Sequence, residues 1–129
     1  MTRTRRGLVA AVTSLALTGA AAGAAVAGDD DVLRRGSCTG STDWKMKAGP
    51  DDGRIEVEAE IDSDRVGQTW RWVLRHDGAV VARGKSRTKG PSGSFEVDRR
   101  TADHKGTDSF RFKAKHQGSG ERCVGRVRR

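Results

Sequence analysis

The sequence has little cysteine and no local pattern that is typical of an enzyme. Its 129 residues include two cysteines, Cys38 and Cys123. Neither belongs to a paired spacing such as Cys-x2-Cys, so the common structural metal sites are not indicated. No Gly-x-Ser-x-Gly segment is present, which removes the signature of a large class of hydrolases. We therefore expect no catalytic, cofactor-binding or metal-binding residues.

The three histidines fall where solvated histidines are common. His76 lies in a predicted hairpin turn, His104 in a polar corner and His116 at the end of a strand. Acid–base catalysis usually needs a histidine or paired carboxylates inside a pocket, and these positions predict none. The three glutamates between residues 56 and 60 share one strand face, where a charge ladder with basic residues of neighbouring strands explains them better. The sequence indicates a protein that is not an enzyme.

The segment 62–67, Asp-Ser-Asp-Arg-Val-Gly, begins like a calcium-binding loop. An EF-hand loop needs an oxygen ligand at its fifth position and a glutamate at its twelfth, and here these are Val66 and Val73. The EF-hand interpretation therefore fails. Two alternatives stay open, an acidic turn and a looser calcium site formed by Glu60, Asp62 and Asp64.

The first 27 residues have the order of a secretory signal peptide. Three arginines between residues 3 and 6 precede an alanine-rich apolar run, which closes on the cleavage-site pattern Ala25-Val26-Ala27. A membrane anchor is the alternative, but the run ends in small residues rather than in basic stop-transfer residues. Residues 4–9 also resemble a twin-arginine signal, so the export route stays open. We predict a secreted or cell-wall-associated protein with no transmembrane segment after cleavage.

Removal of residues 1–27 lowers the net charge from +8 to +5, because three of the 25 Lys and Arg residues lie there. The remaining chain is long enough for one domain with a modest core. In an exported protein, the even number of cysteines predicts a disulfide between Cys38 and Cys123. Closing this loop of about 85 residues is worth roughly 4–4.5 kcal/mol in the chain-entropy model.

Between the cysteines, apolar and charged residues alternate with a period of two. The clearest case is the segment 55–61, where Ile, Val, Ala and Ile alternate with three glutamates. The segments 44–48, 70–75, 95–98 and 110–114 alternate in the same way. This pattern is typical of antiparallel strands with one solvated face, and no segment of the mature chain keeps a helical period.

Turns rich in Gly, Pro, Asp and Ser separate these segments. We therefore predict an all-β fold, an antiparallel immunoglobulin-like β-sandwich of about seven strands with one disulfide. The predicted organisation is a signal peptide at 1–27, a flexible segment at 28–36 and the sandwich domain at 37–129.

Trp70 and Trp72 lie two residues apart and therefore point to the same face of their strand. A buried Trp72 beside a disulfide is a sensible core for so small a domain, so we predict Trp72 as core rather than as a ligand platform. Whether Trp70 lies in the core or at its rim stays open, because a thin core has little room for three tryptophan rings.

The elements Ser92-Gly93-Ser94-Phe95 and Gly106-Thr107-Asp108 are the most specific parts of a wider likeness over residues 37–127. Over this range the chain resembles a family of small secreted actinobacterial proteins, immunoglobulin-like sandwiches with no assigned activity. The segment 103–114 also resembles the corner that enters the sixth strand of immunoglobulin-like domains, without the tyrosine and cysteine of antibody domains. The resemblance implies the fold and an extracellular location but no chemistry.

Basic residues alternate along the strand that follows the Asp77-Gly78 turn, and a predicted neighbouring strand adds two more. The candidate anion-binding residues are Arg71, Arg75, Arg83, Lys85, Arg87 and Lys89. Such a patch would attract polyanions by charge. The alternative is a solvated sheet face that resists aggregation, and the glutamates of 56–60, which are expected to balance the charge, favour it. The basic residues 126–129 are expected to be frayed.

We therefore expect a secreted, non-catalytic binding module without a cofactor. Its partner would be a polyanion of the cell wall or the extracellular space, held weakly by the basic face. The alternative is a small secreted inhibitor or effector that presents the 88–94 loop to a protein partner.

Overall fold

The computed structural model describes residues 30–129, which form two packed β-sheets. The predicted signal peptide at residues 1–27 lies outside the described residues. Nothing between residues 30 and 129 forms a helix that could cross a membrane. The strands are β1 (Val32–Ser37), β2 (Asp43–Asp51), β3 (Arg54–Asp62), β4 (Thr69–His76), β5 (Ala79–Arg87), β6 (Ser94–Ala102), β7 (Ser109–His116) and β8 (Arg122–Arg128).

The strand order is that of an antiparallel sandwich. One sheet has the order β1-β2-β3-β6 and the other the order β5-β4-β7-β8. All neighbouring strands pair antiparallel. In the second sheet, a hairpin pairs with the last two strands of the chain, as the C′, C, F and G strands do in immunoglobulin-like domains. The predicted all-β sandwich is confirmed.

The core lies between the sheets, where every second side chain of the inner strands is buried. In β3 the buried positions alternate with the half-buried glutamates, as the period of two predicted. Both sheets contribute to one apolar cluster. Its largest fully buried apolar side chains are Trp70, Phe110, Phe112, Met46, Ile55, Ile61, Leu74, Val57 and Val127.

The segment expected to be flexible, residues 28–36, is partly a strand. β1 pairs with β2 along its length, from Val32 opposite Ala48 to Ser37 opposite Asp43. Only Val32 and Gly36 are half-buried, and the rest of β1 is exposed, because an edge strand covers little of the core. Its sequence therefore lacks the alternation that predicts a strand. The expectation is wrong for residues 32–36, and the described chain has eight strands rather than about seven.

Trp70 and Trp72 both point into the core from β4. Trp70 is completely buried, and its indole N–H donates to Gln68 Oε1 at 3.3 Å. Trp72 is 5% exposed and donates to Ser86 Oγ at 3.0 Å. The prediction for Trp72 is confirmed, and Trp70, which the sequence left open, also belongs to the core.

The third tryptophan, Trp44, is the one at the rim. It is half-buried between Gly36 of β1 and Gly125 of β8. A Cβ would lie 2.6 Å from the Trp44 ring at Gly36 and 2.8 Å from it at Gly125, which is closer than a side chain allows. Glycine at both positions therefore lets the ring close the sandwich between β1 and β8.

Cys38 and Cys123 form the predicted disulfide. Cys38 follows β1, at the edge of one sheet, and Cys123 is buried in β8, at the edge of the other. The bond therefore joins the two sheets at their β1 and β8 edges.

Candidate anion-binding face

The outer face of the sheet β5-β4-β7-β8 carries basic side chains on all four strands. They alternate with buried residues in β4, β7 and β8 and with half-buried residues in β5, so that each strand turns its cations to solvent. We call these eleven residues the basic face: Arg71, Arg75, Arg83, Lys85, Arg87, Arg111, Lys113, Lys115, Arg122, Arg126 and Arg128.

The register aligns these cations in rows across the sheet. One row contains Lys85, Arg71, Lys115 and Arg122, one residue from each strand. Adjacent strands are about 4.8 Å apart, so this row of four spans about 14 Å. A second row contains Arg75, Arg111 and Arg126. The cations therefore form a two-dimensional array rather than a single line.

No carboxylate lies among the outward positions of these four strands. Among residues 30–129, none of the eleven cations forms an ion pair. Like charges directly opposite each other on neighbouring strands destabilise a sheet. The face therefore concentrates positive charge that the fold itself does not compensate.

The glutamates that were expected to balance this charge lie on the opposite side of the molecule. They point outward from β3, where Glu58 pairs with Lys47 at 3.1 Å and Glu60 with Lys45 at 3.8 Å. The predicted cross-strand ladder is thus present. The expected balancing of the basic face is wrong, because β3 belongs to the other sheet.

Between the two rows, the basic face has shallow grooves. One has a volume of about 510 Å³ and is lined by Trp72, Val73, Gly84 and the surrounding lysines and arginines. A second, of about 250 Å³, shares Val73 and Lys113 with it. An apolar floor with a cationic rim suits a polymer that alternates anionic groups with less polar segments.

Five of the six candidate residues lie on the basic face: Arg71, Arg75, Arg83, Lys85 and Arg87. Lys89 does not join them, because its backbone N–H donates to Ser94 O and the chain there crosses to the other sheet. The cations of β7 and β8 were not predicted from the sequence. Residues 126–128, which were expected to be frayed, belong to strand β8. The signal for β7 was the alternation of its cations with Phe110, Phe112 and Ala114.

The 88–94 loop is exposed at its tip and held at its ends. Thr88 is buried and its hydroxyl donates to Arg65 O. A Cβ at Gly93 would lie 2.3 Å from the backbone nitrogen of Arg65, so the two loops are in contact through their backbones. The loop is a fixed feature that a protein partner could contact.

The looser calcium site proposed for the 60–64 segment does not form within residues 30–129. Glu60 faces Lys45, and Asp62 Oδ1 accepts a hydrogen bond from the backbone N–H of Asp64 at 3.2 Å. The acidic turn is therefore the arrangement present.

A second cluster, which the sequence reading missed, lies where the β4–β5 turn meets the corner before β7. His76 and Asp108 are buried, and His76 donates to Asp108 Oδ1 at 2.6 Å. His104 donates from Nδ1 to Asp77 Oδ2 at 2.7 Å. The two imidazole rings stack 4.1 Å apart, and His76 also stacks on Phe110. We call these four residues the His–Asp cluster. The prediction of a solvated His76 is wrong.

Backbone contacts position both carboxylates of this cluster. Ser109 N–H donates to Asp77 Oδ1 at 2.8 Å, and His104 N–H donates to Asp108 Oδ1 at 3.1 Å. Burial opposes ionisation of Asp108, but hydrogen bonds from His76 and from the His104 backbone outweigh it and lower the pKa of Asp108. The hydrogen bond between His104 and Asp77 raises the pKa of His104 and lowers that of Asp77.

A group of three carboxylate side chains lies on the outer face of the other sheet. Its members are Glu56, Glu58 and Asp98. A hydrogen bond with Glu58, burial and the charge of Asp98 raise the pKa of Glu56 to about 7. This side of the molecule is as rich in carboxylates as the basic face is poor in them.

No protein-family model, curated protein or solved structure matches this chain significantly. The resemblance to small secreted actinobacterial proteins therefore stays a prediction.

Proposed function

We propose that the protein is a non-catalytic binding module whose basic face holds an anionic polymer outside the cell. The observation that carries this proposal is the array of eleven cations on one sheet face with no carboxylate among them. A fold that needed only a solvated surface would gain by mixing charges, as the other sheet does with its Lys–Glu pairs. The missing counter-charges would be supplied by the ligand.

The polymer is defined by its repeating phosphate, sulfate or carboxylate groups. The face is a flat sheet without an element that could enter a groove of nucleic acid, so binding would depend on charge and spacing rather than on base sequence. The signal-like residues 1–27 and the disulfide support export, since disulfides persist in oxidising compartments. A small disulfide-bonded domain is consistent with an extracellular location.

The test compares two variants with the same loss of charge at different places. The first triple variant neutralises three of the four cations in the row that crosses all four strands. Its substitutions are Arg71→Gln, Lys85→Gln and Lys115→Gln. The second triple variant neutralises three exposed cations outside the basic face. Its substitutions are Arg34→Gln, Arg54→Gln and Lys105→Gln. On immobilised heparin and on immobilised duplex DNA, the first triple variant should elute at clearly lower salt than the parent, and the second close to it.

Equal elution of the two triple variants would contradict the proposal, because net charge alone would then explain retention. All substituted positions are exposed, so each change should alter stability by no more than about 0.5 kcal/mol. Thermal melting of both variants checks that the fold is kept.

The inhibitor alternative rests on the loop 88–94, which is exposed at the tip and anchored at both ends. It predicts that a target protease is inhibited and that substitution of Pro91 or Ser92 weakens inhibition. Those two substitutions should leave polyanion retention unchanged, so the two functions can be separated.

A further inference from the structure

We propose that the His–Asp cluster is a binding site for one divalent transition-metal ion, with zinc as the best match. The ligand atoms are His76 Nε2, His104 Nδ1, Asp77 Oδ2 and Asp108 Oδ1. All four lie within 4.8 Å of one another. The site is at one end of the sandwich, where the last residue of β4 and the β4–β5 turn meet the corner before β7, and it shares no residue with the basic face.

The distances suit a shared ion. The four N···O distances around the cluster are 2.6, 3.5, 2.7 and 3.6 Å. An ion about 2.1 Å from each ligand would place neighbouring ligand atoms about 3–3.5 Å apart. The two short distances need to lengthen by about half an ångström on binding, and the two long ones already fit. The exposed His104 ring must also turn out of its stack on His76, because the lone pair of each imidazole lies in its ring plane and must point at the ion.

The donor set selects the kind of ion. Two imidazole nitrogens with two carboxylate oxygens suit zinc and its neighbours in the transition series, whereas calcium and magnesium prefer oxygen ligands alone. With both imidazoles neutral, the two carboxylates give the site a charge of −2, which a divalent ion balances. Each imidazole then carries its single proton on the ring nitrogen that faces away from the ion.

The surroundings hold the ligands in place and leave a path for the ion. Backbone N–H groups of Ser109 and His104 orient the carboxylates of Asp77 and Asp108, and Phe110 packs against the His76 ring. Such contacts around a metal site fix its ligands. The side chains of His76 and Asp108 are 3% and 2% exposed, whereas those of His104 and Asp77 are 49% and 34% exposed. An ion can therefore enter from the side of His104.

The test titrates zinc into the protein purified without an affinity tag and follows heat and stoichiometry by calorimetry. We expect one zinc ion per chain. His104→Gln and Asp77→Asn remove one ligand each from the exposed side, and each should weaken binding at least about tenfold. Asp77 has a φ of 48°, a left-handed conformation that asparagine also adopts readily, so this variant should keep the turn.

Two control variants make the result specific. His116→Gln removes the histidine outside the cluster, and Glu58→Gln alters the other carboxylate group; both should bind zinc as the parent does. In imidazole nitrogen NMR spectra, zinc should shift the resonances of His76 and His104 and leave those of His116 in place. Absence of saturable binding would overturn the proposal. So would unchanged affinity in His104→Gln and Asp77→Asn, or loss of binding in Glu58→Gln.

Discussion

Replacement of Trp70 by alanine should be among the most damaging single changes to this domain. The side chain is completely buried in β4. A tryptophan buries about 150–250 Å², which at about 25 cal/mol per Å² corresponds to about 4–6 kcal/mol. Measured losses for large core truncations are about 3–5 kcal/mol, because the surrounding structure relaxes in part. We expect a loss in this measured range, which is a large fraction of the stability of a domain of this size.

The comparison with the other tryptophans makes this prediction sharper. Trp72→Ala should cost nearly as much, since the ring is 5% exposed and lies 5.8 Å from the Phe112 ring. Trp44→Ala should cost about half as much, because Trp44 is only half-buried. Urea denaturation of the three oxidised variants measures the order. If Trp70→Ala were no more destabilising than Trp44→Ala, the assignment of Trp70 to the core would be refuted.

Two further predictions concern the disulfide and pH. Replacing both cysteines by serine should lower the free energy of unfolding by about 4–5 kcal/mol. The reason is that the unfolded chain then loses the constraint of a loop that joins residues 85 positions apart. A loss below about 1 kcal/mol in urea denaturation would contradict this. The pKa of Glu56 is raised to about 7, so between its ordinary value of 4.5 and about 7 the folded protein holds a proton that the unfolded chain has lost. Stability should therefore fall as pH rises through this window, and Glu56→Gln should flatten the fall; an unchanged pH profile of urea midpoints would show that Glu56 titrates normally.

The sequence predicted the inner strands well because their patterns are local. In β3, four apolar residues alternate with three glutamates, and this pattern alone decides which face is buried. β1 could not be predicted in this way, since its place depends on pairing with β2 and not on a buried face of its own.

The basic face was only half predicted for a related reason. Arg71 and Lys85 belong to one hairpin, so their proximity follows from the sequence around the turn. Lys115 and Arg122 join them through the pairing of β4 with β7 and of β7 with β8, which is a long-range feature of the topology. The sequence also does not show that β3 lies in the other sheet, and for this reason its glutamates were expected to balance these cations.

The His–Asp cluster did leave a signal in the sequence. His76 continues the same-face series of Trp70, Trp72 and Leu74, and Asp108 precedes Phe110 and Phe112 with the same spacing of two. Both polar residues are therefore placed inward by the alternation that defines the core. Their meeting depends on the register of β4 against β7, which sets His76 opposite Phe110.

The salt dependence of binding to duplex DNA of mixed sequence tests the basic face most directly. The two rows hold seven cations, and contact of five to seven of them with phosphates gives a slope of log K against log salt of about −4.5 to −6.3. Neutralising Arg71, Lys85 and Lys115 should make this slope shallower by about 2.7, whereas neutralising Arg34, Arg54 and Lys105 should leave it unchanged. A parent slope shallower than about −1, or the same slope in both variants, would contradict the account.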